Sequence, residues 1–443
     1  MREMKDSGIE WMSAIPKDWN ISRLKYVANF FNGDRGKNYP SGEDLVDDGI
    51  AFLTSNNIHE IVLDCAQEKS KFITEERYNR LGGVKIQLND IVFCLRGSVG
   101  NCAINKTLAK GTVASSLMTI RPIKASPDFI NYVLQTDVCG VQTIKAMNGS
   151  CAANLSAENV SNYYFAEPPV AEQEKIAGFL DSKCSEIDAI SADIQKEIET
   201  LEQHKRSIIT EAVTKGLKSD VEMKDSGIEW VGKIPANWTG SRLGYETYIR
   251  ARLGWKGLKA DEYVDEGYAF ISAFNIQNNK LVWTPLNYIT KERYDESPEI
   301  KLHIGDVIIV KDGAGIGKCA RIDSLPMGET APNSSIGVIT PLAKLNYRYL
   351  AYYLQSAIFN NLILKLLNGM GVPHLTQEVM NKTPILMPPK QEQVGIADFL
   401  DAKCFEIDSA IEAKKKQIGI LDTYKKSLIY EYVTGKKEVP SQN

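Results

Sequence analysis

Met4-Lys5-Asp6-Ser7-Gly8-Ile9-Glu10-Trp11 returns intact as Met223-Lys224-Asp225-Ser226-Gly227-Ile228-Glu229-Trp230. Eight identical residues in one order do not arise by chance, so the chain is one unit written twice. The match runs on through Ile15-Pro16 and Trp19 against Ile234-Pro235 and Trp238. It resumes near the far end of the unit, where Pro168-Pro169, Glu172-Gln173, Phe179-Leu180-Asp181 and Lys183-Cys184 reappear as Pro388-Pro389, Glu392-Gln393, Phe399-Leu400-Asp401 and Lys403-Cys404. Between these blocks the apolar frame repeats while the polar residues change. That pattern predicts one fold carrying two different surfaces.

After each Pro-Pro pair the apolar residues recur every seven positions. The first series is Leu180, Ile187, Ile194, Leu201 and Ile208, with a neighbouring series Ala177, Cys184, Ser191, Ile198 and Ala212 that Lys205 interrupts, and the second is Leu400, Ile407, Leu421 and Leu428, which Lys414 interrupts. A 3.5-residue apolar repeat over about five heptads is a coiled-coil seam. Proline is tolerated in the first turn of a helix, and Gly216 and Gly435 stand where helices stop. The simplest partner for each seam is the other copy, running antiparallel. The expected fold is α+β: two globular mixed domains, at 1–165 and 223–387, separated by helical segments 166–222 and 388–443 that form an antiparallel coiled coil with a pseudo-two-fold axis.

Short apolar runs bounded by turn residues, such as Ile50–Leu53, Ile91–Leu95 and Val307–Val310, read as strands. Gly-rich loops follow two of them: Arg96-Gly97-Ser98-Val99-Gly100-Asn101 and Lys311-Asp312-Gly313-Ala314-Gly315-Ile316-Gly317-Lys318. The second is not a phosphate-binding P-loop, because Asp312 stands where the first glycine belongs and Cys319 follows the lysine. Glycine turns of this kind suit a close backbone approach to a phosphate.

The chain has 443 residues and a formal net charge of −4. Residues 1–165 hold 18 basic and 18 acidic side chains, whereas 166–222 hold 7 and 13. A nucleic-acid face therefore has to be a local basic patch. No apolar run reaches membrane-spanning length and no signal peptide is expected. The eight cysteines show no Cys-x-x-Cys pair, which suits reduced thiols in a cytoplasm. The four histidines lie at no metal-ligand spacing, and no nucleophile elbow or Rossmann fingerprint appears. No catalysis, metal or cofactor is expected in this chain.

The opening motif through Trp19, the Asp90-Ile91-Val92 strand leading into a Gly loop, and the Pro168-Pro169, Glu172-Gln173, Ile176, Leu180-Asp181 exit resemble, twice over, the specificity subunit of a type I restriction–modification system. The resemblance implies a DNA-reading subunit without catalytic activity. Each globular domain would be a target recognition domain for one half of a split, asymmetric site. The helices would space the halves and dock two adenine-N6 methyltransferase subunits, with restriction and translocase subunits joining. S-adenosylmethionine, ATP and Mg would belong to those partners. Residue type and position after strands or in Gly loops nominate Ser55, Asn56, Asn57, Arg96, Ser98, Ser115 and Lys145 in the first domain as DNA contacts. In the second they nominate Arg250, Arg252, Lys256, Ser272, Asn275, Lys311, Lys318, Ser334 and His374. Two rival readings are a self-contained methyltransferase or nuclease, and a scaffold whose domains bind protein.

Overall fold

A computed structural model describes residues 2–440 apart from 59–60, 67–69, 148–154, 229, 252–257, 259, 314 and 368–373. The chain forms two compact units, Met1–Ile194 with Lys416–Asn443, and Gln195–Lys415. Compactness thus divides the molecule differently from sequence order, because each long helix contributes one stretch to each unit.

In unit 1, strands β1 (Met4–Asp6) and β2 (Ala14–Pro16) form a hairpin, followed by β3 (Asn20–Arg23), β4 (Ala28–Asn32), β5 (Leu45–Val46), β6 (Ile50–Leu53) and β7 (Lys71–Ile73). Helix α1 (Glu75–Arg80) leads to β8 (Ile91–Cys94), β9 (Cys102–Ile104), β10 (Gly111–Val113) and β11 (Leu117–Pro122). Helices α2 (Pro127–Leu134), α3 (Asp137–Met147) and α4 (Ala157–Ser161), then β12 (Tyr164–Glu167), precede the long α5 (Val170–Lys215).

Two four-stranded sheets stack, in orders β4-β11-β8-β9 and β10-β6-β7-β5. The first is antiparallel; the second is mixed, with β10 parallel to β6. Successive side chains on a strand point to opposite faces. Ile91 and Phe93 accordingly join the core built with α2, and Val92 and Cys94 join a second core with Leu53 and Val113. Burial on both faces is why β8 reads as a continuous apolar run.

Unit 2 repeats this plan. It runs β13 (Met223–Asp225), β14 (Lys233–Pro235), β15 (Thr239–Arg242), α6 (Leu243–Glu246), β16 (Thr247–Arg250), β17 (Tyr268–Ile271), β18 (Ile276–Gln277), β19 (Lys280–Leu281), β20 (Asn287–Ile289) and α7 (Lys291–Asp295). Then come β21 (Val307–Val310), β22 (Cys319–Arg321), β23 (Thr330–Pro332), β24 (Ile336–Pro341), α8 (Tyr347–Gln355), α9 (Ala357–Leu367), α10 (Gln377–Lys382), β25 (Pro384–Met387) and α11 (Lys390–Val433). Its sheets order as β16-β24-β21-β22 and β20-β17-β23.

The repeated blocks have a physical reason. Strand β3 pairs with β12, and β15 with β25, so the opening of each repeat lies beside its exit into the long helix. The Trp19 indole donates to Glu172 at 3.0 Å, and Trp238 to Glu392 at the same distance. Gln173 accepts from the Ser126 amide and donates to the Pro168 carbonyl; Gln393 accepts from Asn346 and donates to Pro388. The Glu-Gln pair therefore locks the helix start to the globular domain in both copies. The Tyr132 hydroxyl donating to Asp181 at 2.7 Å, and Tyr352 to Asp401 at 2.6 Å, add a tie about two turns further along.

The helices pair antiparallel within each unit. In unit 1 Phe179 packs on Tyr432 and Asp188 bonds Lys425 at 2.6 Å. In unit 2 Glu197 meets Lys414, and Lys205 bonds Asp408 at 2.6 Å. The two lysines that break the heptads are thus ion-paired across the helix pair. Leu180, Ile187, Leu400, Ile407 and Leu428 are buried, while Ile194, Leu201, Ile208 and Leu421 are half-buried. Leu180, Ile187 and Leu428 also join the core of the first globular domain and Leu400 that of the second, whereas Ile407 is buried without joining either core. Gly216 and Gly435 end the helices with φ of 76° and 70°. Among the described residues no helix is long and apolar enough to cross a membrane.

Candidate nucleic-acid interface

Strand direction gathers the candidate residues. Strands β4 and β8 both run antiparallel to β11, so both end where β11 begins: Asn32 faces Met118 and Cys94 faces Leu117. Strands β6 and β10 are parallel and end together at Leu53 and Val113. The Ala114 amide donates to Leu53, Leu95 to Ser116, and Gly33 to Leu117. Four turns therefore meet at one rim: 33–37, 54–57, 95–101 and 114–116. Leu155, hydrogen-bonded to Leu95, brings a fifth segment there.

The turns are held by their own backbone. A Cβ at Gly33 would lie 2.2 Å from the Ala114 carbonyl oxygen, so only glycine allows this approach. The Asp34 carboxylate accepts from the amides of Gly36 at 2.6 Å and Gly82 at 2.8 Å, and these bonds hold it below the usual carboxylate range. Gly97 and Gly313 adopt φ of 76° and 81°, a left-handed conformation that strains other residues.

Unit 2 builds the same rim. Asn333 donates to Ile271, Lys311 to Ser335, and Leu375 to Lys311. The turns at Ser272–Asn275 and Thr54–Asn57 share one cap geometry, with Ser272 at φ −126°, ψ 176° and Thr54 at φ −126°, ψ 178°.

The nominated residues sort into groups. On the first rim, Asn56, Arg96 and Ser98 are exposed and Ser55 and Ser115 half-buried. On the second, Lys318, Ser334 and His374 are exposed and Ser272 half-buried. His374 lies against the Asp312 carboxylate, across an isolated bridge between the two residues. The Lys311 stem passes over Gly337, and burial pulls its ammonium below the usual lysine value.

Three nominations, Asn57, Asn275 and Arg250, require correction. Asn57 is fully buried, its carbonyl accepting from the Thr54 amide and its NH2 donating to Asp64 O and Ser70 Oγ; Asn275 does the same work with Ser272, Val282 and Pro285. Both tie turns and have no polar edge to offer. Arg250 is buried, paired with Asp306 at 2.8 Å and donating to the carbonyls of Glu299 and Lys301. In unit 1 the corresponding Asp90 is paired with Arg121, one strand over, at 2.7 Å. Lys145 bonds Glu10 at 2.8 Å over the Trp11 ring, so it ties α3 to the opening motif. Arg252 and Lys256 lie outside the described residues.

The structure adds residues that the sequence reading passed over. Arg35 and Lys37 are exposed on the 33–37 turn, and their signal was the Gly-Asp-Arg-Gly-Lys run after an apolar strand. Phe274 is 63% exposed at the position that Asn56 holds in the first domain. The rims combine guanidinium, amide, hydroxyl and ammonium groups on fixed turns, the donor set that reads base edges and phosphates. Among the described residues no group of three His, Cys, Asp or Glu side chains is placed to hold a metal ion.

The chain matches the family model described as type I restriction modification DNA specificity domain over residues 16–200 and again over 255–418. It is 25% identical over 437 residues to the MjaVIII specificity subunit of Methanocaldococcus jannaschii, covering 97% of this chain and 95% of that one. It is 28% identical over 210 residues to the EcoKI specificity subunit of Escherichia coli K12, covering 46% and 44%. Among solved structures, a chain from work on complex assembly and conformational transition of the type I R-M system is similar in fold. Its TM-score is 0.69 at 17% identity, over 96% of this chain and 99% of that one.

Proposed function

Because the chain belongs to the type I restriction modification DNA specificity family, with two matched regions, we propose that each of its rims reads one half of a split DNA site, the two halves differing in sequence. The observation that carries this reading is the repeated rim: the same four strand ends, the same cap geometry, and different exposed side chains. Arg96 and Asn56 serve one half; Lys318, Ser334 and His374 serve the other. The long helices, of 46 and 44 residues, set the spacing between halves and dock two adenine-N6 methyltransferase subunits, to which restriction subunits add. S-adenosylmethionine, ATP and Mg belong to those partners, and this chain supplies sequence choice without chemistry of its own.

Mapping methylated adenines in DNA from cells that carry this gene with its methyltransferase tests the reading. A two-part motif with unlike halves is expected. A continuous motif, or a pattern unchanged when rim residues of either domain are replaced, would refute it.

A further inference from the structure

We propose that Phe274 is a specificity residue of the second domain that contacts the 5-methyl group of a thymine in the major groove; the proposal rests on the DNA-reading assignment of the rims. Phe274 lies in the middle of the Ser272–Asn275 turn. That turn is closed by the Asn275 carbonyl accepting from the Ser272 amide at 3.0 Å, and the Phe274 carbonyl accepts from the Gln277 side chain at 3.3 Å. The adjoining β18–β19 hairpin is anchored by Lys280 to Asp408 at 2.8 Å. The backbone is therefore fixed before any ligand arrives, and the ring is held out in solvent at 63% exposure.

The comparison with the first domain identifies what such a ring is for. Asn56 occupies the same place on a turn of the same cap geometry, and it too is exposed. An Asn amide is the group that pairs with the donor and acceptor edge of adenine. A phenyl ring makes no such bonds. The base-edge group in the major groove that rewards an apolar contact is the thymine methyl. An exposed Phe also has a desolvation gain waiting at a rim otherwise furnished with Lys318, Ser334 and His374. The two copies thus use one turn position to read opposite chemistry, polar in one half and methyl in the other.

The test uses the full chain assembled with its methyltransferase and a duplex carrying the mapped motif. Each dT of the second half is replaced in turn by dU, which deletes only the methyl group. Binding is followed by fluorescence anisotropy at fixed salt. One replacement should weaken wild-type binding about fourfold, the worth of one buried methyl, and Phe274→Ala should bind equally to both duplexes. Phe274→Leu, still apolar, should keep part of the discrimination. If wild type and Phe274→Ala respond alike to every replacement, or the second half holds no thymine, the assignment is overturned while the rims remain readers. If Phe274→Ala lowers recovery of the assembled complex with DNA discrimination unchanged, Phe274 belongs to a protein contact and the assignment is again overturned. If the wild-type complex does not prefer the mapped duplex to a scrambled one, the DNA-reading assignment falls first.

Discussion

Replacing Arg250 with Met should destabilise unit 2 severely without touching DNA affinity through lost phosphate contacts. The Arg250 and Asp306 side chains are 8% and 0% exposed, and the carboxylate takes the guanidinium at 2.8 Å, the His303 amide at 2.8 Å and the Thr340 hydroxyl. Removing the guanidinium leaves a buried carboxylate short of its counter-charge, which costs about 3–5 kcal/mol. For a domain of this size each kcal/mol moves the midpoint by ~2–4 °C, so the unit 2 transition should fall by roughly 6–20 °C. The first domain supplies the repair. There the counter-charge is Arg121, aligned with Thr340, and Phe31 stands where Arg250 does, with the Arg121 guanidinium 4.9 Å from its ring. The double change Arg250→Phe with Thr340→Arg should recover most of the loss. Scanning calorimetry of wild type, both single variants and the double variant gives the coupling directly. A loss under about 2 °C for Arg250→Met would refute the buried-pair argument, and so would failure of the double variant to recover.

Other expectations follow from the rims and the helix ties. Arg96→Ala should relax one base of the first half by about 1–3 kcal/mol and leave the second half unchanged, read by methylation sequencing; a change in both halves contradicts the assignment. Arg35→Ala with Lys37→Ala should weaken binding to every duplex alike and reduce the salt slope by about one per charge in an anisotropy titration; a loss confined to one sequence would mark them as base readers instead. Asp401 is a pH probe. Burial by itself would raise its carboxyl, but hydrogen bonds from Arg321 and Tyr352 override this and the net effect is below the ordinary 3.8. Its stabilising contribution is therefore complete above that value and disappears as pH falls through the lowered one. Asp401→Asn should flatten the acid limb of the unit 2 denaturation profile, and an unchanged limb would show that other groups govern it.

The architecture was legible because it rests on periodicity. A repeat of eight identical residues and a seven-residue apolar period leave few alternatives, and the seam residues pack as that period requires. The site was only half legible. Asn57 and Asn275 follow strands in polar turns, and that context is shared by an amide that caps a turn and one that reads a base. Only burial separates them from the exposed Asn56. Arg250 stood in a basic stretch, but its partner is 56 residues away in sequence and the pairing depends on strand register. Phe274 was invisible for the opposite reason: in a sequence a phenylalanine after an apolar strand reads as core, and its exposure follows from the turn that Asn275 closes.

The division of the chain also sets a timetable for its synthesis. Unit 2 is contiguous, 195–415, whereas unit 1 needs 416–443 to cover Leu180 and Ile187 in its core. A ribosome adding ~5–20 residues per second reaches residue 416 some 10–45 s after residue 194. The domain made first is thus the one completed last. During that interval its share of the helix seam stays open to chaperones and proteases, and a chain that ends close to 415 would hold every residue of the second unit while lacking the last stretch of the first.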